Sequence, residues 1–252
     1  MSGSSQLSLQ DFLDRYREAR AKQTAQEAQG LAAQLGGIRS ALEAAKTLRA
    51  EHAHLFAPDF NIFDILDVAE KESVHSNLLG ELLDPHGSHG CGTLFLTSFL
   101  NLCEPARNSL PLLSADIDSW ASHILIRREA AIFRGRFDLL IHAPGHLCLI
   151  IENKINAAAG DSQLSRYRDW LKKRPEPVQN KLLIFLTPRM KGRSAGDIRD
   201  GEYLWLSYVT HIWNWLGECR ERIEAPSVRS LIDQYLGTIA EWRNTEDARA
   251  EP

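Results

Sequence analysis

Between His123 and Lys154 the chain carries three short apolar runs separated by turn signals, and the third ends in charge. Residues 123–128 alternate through Ile124 and Ile126, and RFDLLIH (136–142) is rich in strand formers. Ala143-Pro144-Gly145 marks a turn before LCLIIENK (147–154). Runs of this length bounded by Gly and Pro read as strands, and such short connections predict an antiparallel meander.

The flanking pattern sets what covers those strands. A helix is predicted from Asp161, as N-cap, to about Lys173. KLLIFLT (181–187) reads as a buried strand stopped by Pro188, a polar loop spans 189–201, and a short strand covers 203–206. Helices are predicted upstream near 62–68, 71–83 and 91–102, with a loop at 105–113, and two more close the chain near 208–222 and 228–242. Helices, then strands, then alternating helix and strand predict an α/β fold, an α-β-α sandwich around a central mixed sheet. Residues 7–29 and 38–56 are rich in Ala, Gln, Glu, Arg and Leu, which are good helix formers. Gly36-Gly37 is expected to break them into a hairpin-like extension, packed on the core or forming a homodimer seam. The expected organisation is a helical extension over 1–56 and one domain over 57–252.

A chain of 252 residues can bury a core without covalent staples. Its four cysteines form no CxxC pair, which disfavours a disulfide framework or a Cys-rich zinc site. No apolar run reaches the roughly 18 residues of a membrane span, and the first ten residues contain no signal-peptide core. A cytoplasmic protein with no membrane partner is expected. The net charge of -4 argues against a nucleic-acid partner. Its distribution argues the other way: 57–120 carry -8, whereas 121–200 carry +7, as the footprint of a polyanion would.

The chemistry concentrates between Gly135 and Tyr167. Asp138 sits in one apolar strand, and Glu152 and Lys154 end the next. Strand side chains alternate, so Glu152 and Lys154 share a face while Asn153 points away. A short turn joins the two strands, so Asp138 and Glu152 can lie side by side. Two carboxylates suit a hard cation such as Mg2+, which keeps its remaining waters, and the Asn153 carbonyl offers a further oxygen. Such an ion polarises a phosphoryl oxygen, and a nearby ammonium stabilises the charge that develops. The competing reading is a salt bridge of Lys154 with Asp138 or Glu152.

The pattern is not isolated. Gly135-Arg136-Phe137-Asp138, then Glu152-Asn153-Lys154, then Gln163-Leu164-Ser165-Arg166-Tyr167 resemble the PD-(D/E)XK nuclease superfamily, in the order of its metal-binding Asp, its E-x-K strand and the Q-x-x-x-Y helix of its RecB-like members. Glu72-Ser73-Val74-His75-Ser76, with Leu82-Leu83-Asp84-Pro85 and His89-Gly90, resembles the N-terminal signature of one bacterial branch. Phe137 stands where the superfamily name has its proline. The resemblance implies a restriction-endonuclease-like fold and an Mg2+- or Mn2+-dependent nuclease acting on DNA or RNA, with a phage-defence setting. Asp138 and Glu152 would be metal ligands, Glu72 would complete the acidic cluster directly or through a metal-bound water, and Lys154 would be the catalytic lysine. Gln163 and Tyr167, four apart on one helix face, would orient catalytic groups or the nucleic-acid backbone. The alternative is a catalytically silent binding module of the same fold.

Other residues compete for roles. His75, three residues after Glu72, is either a phosphate contact or a buried hydrogen-bonded histidine. Arg136 and Arg166 lie near the motif and are expected at substrate phosphates. Arg127, Arg128, Arg134, Arg168, Lys172, Lys173, Arg174 and the loop residues Lys191 and Arg193 are further basic candidates or solvated surface. His86, His89 and Cys91 lack a common zinc spacing and read as a loop. The tryptophans near the C-terminus read as core.

Overall fold

The computed structural model describes residues 9–57, 59–103, 117–132, 135–156, 160, 162–174, 180–190 and 195–247. The chain divides between Phe60 and Asn61 into two units. In the first, helix α1 (Leu9–Glu51) runs 43 residues without interruption. It passes straight through Gly36 and Gly37, so the expected hairpin does not form. A helical glycine costs only about 1 kcal/mol against alanine, too little to break a run of Ala, Leu and Gln. The short helix α2 (Ala53–Phe56) ends at Ala57, whose φ of 38° closes it as a left-handed cap.

The second unit is built on a five-stranded sheet in the order β1-β2-β3-β4-β5. Strands β1 (Leu125–Ile132), β2 (Gly135–Ala143) and β3 (Leu147–Asn153) form the expected antiparallel meander. Strands β4 (Asn180–Thr187) and β5 (Leu204–Ser207) then pair in parallel, β3 with β4 and β4 with β5, so the sheet is mixed.

All seven residues of β3 are buried, as expected for a central strand covered on both faces. Leu147, Leu149 and Ile151 face one layer with Leu139, Ile141, Ile184 and Leu186. Helices α4 (Glu72–Leu83), α5 (Leu94–Cys103), α8 (Trp213–Arg220) and α9 (Pro226–Asp247) contribute to that layer, with the short α3 (Ile62–Ile65) and α6 (Ile117–Trp120) at its margins. Cys148 and Ile150 face the opposite layer, where α7 (Gln163–Lys172) packs Leu164, Tyr167 and Leu171 against Phe137, Leu183 and Phe185. Between β5 and α8 the chain makes a wide helical turn of the i→i+5 kind over Tyr208–Ile212, where one continuous helix was expected. Among the described residues no helix is long and apolar enough to cross a membrane. The expected N-cap Asp161, the loop 105–113, and the basic residues Arg134, Lys191 and Arg193 lie outside the described residues.

Candidate active site

Register delivers the two carboxylates. Leu139 pairs with Ile151, and one step beyond that pair stand Asp138 and Glu152. Asp138 Oδ2 accepts the Asn153 N–H at 2.8 Å. Glu152 points to the α7 layer and is fully buried. Its Oε1 accepts from Lys154 Nζ at 2.7 Å and from Gln163 Nε2 at 2.6 Å. Its Oε2 is buried without a hydrogen-bond partner. Glu72, the first residue of α4, approaches from the other layer. Its Oε1 accepts the Ile155 N–H at 2.9 Å, and its Oε2 lies 3.5 Å from Lys154 Nζ. Glu72, Asp138, Glu152 and Lys154 therefore meet at one end of the β2–β3 pair.

The electrostatics of this cluster are tense. Burial, and then the charge of Asp138, push Glu152 up to about 7. Burial also raises Asp138, although the Asn153 N–H pulls the other way. Burial disfavours the charge on Lys154, but Glu152, Asp138 and Glu72 together outweigh it and lift Lys154 to about 12. Two carboxylates held near each other with a single ammonium leave negative charge uncompensated.

Helix α7 braces Glu152 from below. Gln163 Oε1 accepts the Gly160 N–H at 3.1 Å, while its Nε2 donates to Glu152 and, at 3.0 Å, to the Tyr167 hydroxyl. The Tyr167 hydroxyl donates to the Arg136 carbonyl at 2.6 Å. The four-residue spacing thus links the end of β3 to β2 through one helix face. A polar pocket of about 150 Å³ opens beside Asp138, lined also by Glu72, Ser76, Asn77, Glu129 and Arg136.

The strand pair is irregular at this point. Arg128 pairs with Leu139 and Ala130 with Phe137, but Glu129, between them, has a φ of +49°. Phe137 faces α7 and Leu139 the other layer, so the two-residue alternation fails once, at Asp138. A left-handed non-glycine residue inside a strand is strained, and such strain clusters at functional sites. Glu129 also pairs with Arg136 at 3.3 Å. Sequence reading ended the first strand at Arg128 and so missed Glu129, although continuing the meander by one residue sets it against Asp138.

A family model of the PD-(D/E)XK nuclease superfamily matches residues 60–236. The chain belongs to that superfamily. Searches of the curated proteins and of the solved structures found no match. Membership in a nuclease superfamily implies a nucleic-acid substrate, and the mixed sheet between two helical layers fits the restriction-endonuclease-like fold.

The fit of a divalent cation to this nuclease-superfamily site can be tested on its donors. Among the described residues no three His, Cys, Asp or Glu side chains come close enough to enclose an ion. Lys154 bridges Glu152 and Glu72 instead. Asp138 and Glu152 remain a two-carboxylate set, and the Glu152 Oε2 atom lacks a partner. A hard cation that takes one or two carboxylates and keeps its waters fits that set.

The remaining candidates separate by place. His75 is fully buried, with Nδ1 2.6 Å from the Tyr235 hydroxyl and Nε2 2.8 Å from the Ala69 carbonyl. Burial lowers its pKa to about 4, so it is neutral at pH 7, and both ring nitrogens are engaged inside the protein. The phosphate-contact role expected for it does not fit this placement. Arg136 and Arg166 are exposed, and Arg136 lines the pocket. Arg168 and Lys172 are tied to Glu202, and Arg174 lies 4.6 Å over the Trp170 ring, so these three are engaged in structure. His89 is occupied locally, by the Asp84 carbonyl and the Cys91 N–H.

Proposed function

We propose that the protein is a divalent-metal-dependent nuclease that hydrolyses phosphodiester bonds in DNA, and that it serves as a phage-defence effector. The observation that carries this reading is the convergence of Asp138, Glu152 and Lys154, with a buried Glu152 oxygen left unpartnered. Glu152 and Asp138 would hold Mg2+ or Mn2+, with the Asn153 carbonyl and Glu72 completing the set directly or through water. The bound ion would polarise a phosphoryl oxygen and acidify a water.

The chain's own groups do the rest. Lys154 stays protonated at neutral pH and stands beside the carboxylates, where an ammonium stabilises charge developing on a phosphate. Gln163 holds Glu152, and Tyr167 holds the β2 backbone next to Asp138. Arg136 faces the pocket and Arg166 lies on α7, and both would contact backbone phosphates. The long α1 would join two copies into a homodimer.

Purified protein with supercoiled plasmid and either metal tests this reading. Nicking or linearisation that stops on chelation is expected, and a matched RNA shows relatively slower turnover. Cleavage indifferent to chelator would overturn the mechanism. Because Lys154 already bridges Glu152 and Glu72, a silent module is the second reading. Salt-dependent DNA binding without cleavage in both metals would establish it.

A further inference from the structure

The side chain of Asn153, in the middle of the E-x-K tripeptide, points away from Glu152 and Lys154 into the α4 layer. It is fully buried and every polar atom is engaged. Nδ2 donates to the Glu72 carbonyl at 3.1 Å and to Ser76 Oγ at 3.2 Å. Oδ1 accepts from the Tyr208 hydroxyl at 3.2 Å. The backbone N–H of the same residue holds Asp138. One residue thus grips the first turn of the helix that carries Glu72 and the strand that carries Asp138, and it is the chain neighbour of Glu152.

Tyr208 reaches Asn153 because of the wide turn after β5. Ser207 still pairs with Thr187, and the chain then enters the i→i+5 turn at Tyr208 itself. The ring is fully buried against His75 and Trp242, with centroids 5.4 and 5.3 Å away. Turns of this kind are rare and often mark functional positions. The Tyr208 hydroxyl is buried, and its acceptor is the residue next to Glu152.

We propose that Asn153 and Tyr208 are positioning residues, the Asn153 amide, oriented by Tyr208, setting the spacing between Glu72 and Asp138. The proposal rests on the nuclease reading of this site. It gives the C-terminal part of the chain a task that no sequence motif announces. Partners one step removed from metal ligands typically change affinity or activity by 10–100-fold when lost.

Tyr208→Phe removes one hydroxyl and keeps the ring. Thr238→Val is the control, since it removes a buried hydroxyl that bonds Asn61 and the Gln234 carbonyl and has no bond to Tyr208 or Asn153. Both variants are expected to lose similar thermal stability. Only Tyr208→Phe should lower kcat on plasmid, by roughly tenfold with KM unchanged, and weaken Mn2+ binding by calorimetry to a similar degree. Asn153→Ala should do the same more strongly, and if it fails to fold Tyr208→Phe still decides. Wild-type kcat in Tyr208→Phe, or an equal loss in Thr238→Val, overturns the proposal. If the wild type binds Mn2+ but cleaves nothing, the nuclease reading fails while Mn2+ affinity still judges positioning. A wild type that binds no Mn2+ overturns both.

Discussion

Helix α1 and strand β3 use their residues in opposite ways. From Leu13 to Glu51 every residue of α1 is exposed, and its large apolar side chains such as Leu31, Leu35 and Ile38 are 57–65% exposed. All seven residues of β3 are buried, including Glu152 and Asn153. The helix is held by contacts within its own turns, such as Lys46 with Glu43 at 3.0 Å, each worth a few tenths of a kcal/mol. The strand is held by packing on two faces, and any polar group it carries must find a partner or pay in desolvation. On β3 that constraint leaves Glu152 with a pKa pushed up to about 7 and one buried oxygen without a hydrogen-bond partner.

The contrast can be broken at either end. Lys154→Ala should reduce plasmid cleavage by about 100-fold or more, the scale for losing one group that stabilises transition-state charge. Circular dichroism checks that the fold survives, and a variant with full activity breaks the reading at its strongest point. Gln163→Ala frees Glu152 from one of its two donors and should cost roughly 10–100-fold in kcat. Its pair, Gln163→Glu, sets a third carboxylate against Glu152 and should be at least as slow.

The pH dependence of stability gives a mid-sized effect. Glu152 has its pKa raised on folding, so its contribution is fully present below its unfolded value near 4.5 and is lost as pH rises through about 7. His75, lowered to about 4, works the other way below 6.5. The difference in melting temperature between wild type and Glu152→Gln isolates the first term. In metal-free buffer wild type should lose stability relative to the variant between pH 5 and 8, as sketched by linkage. A flat difference would remove the tension assigned to β3. The smallest effect belongs to α1: Gly37→Ala should stabilise the helix by up to about 1 kcal/mol and leave cleavage within twofold. A cleavage change as large as that of Gln163→Ala would dissolve the contrast.

Much of the sheet was legible because its apolar runs are short and bounded by Pro and Gly. RFDLLIH and LCLIIENK gave the meander, and the E-x-K spacing placed Glu152 beside Lys154. What escaped depends on distance along the chain. Asn153 meets Glu72 and Tyr208 across 81 and 55 residues, which no local spacing encodes. The i, i+3 spacing of Glu72 and His75 suggested a shared role, but α4 buries His75 against Tyr235 while Glu72 faces the site from the helix start. Gly36-Gly37 looked like a break because glycine punctuates loops, yet helix formers on both sides outweigh its cost.

The change from antiparallel to parallel pairing at β3 also orders assembly. The β1–β2–β3 meander closes through short hairpins, whereas β4 can join only after the chain has crossed over through α7. Local pairings form before distant ones. Asp138 and Glu152 are therefore expected to meet before β4 pairs alongside Glu152, so the chain must bring its repelling pair together on the way to the native state. Refolding from urea should accordingly be faster at pH 5 than at pH 8, and rates that do not differ would place the encounter after the transition state.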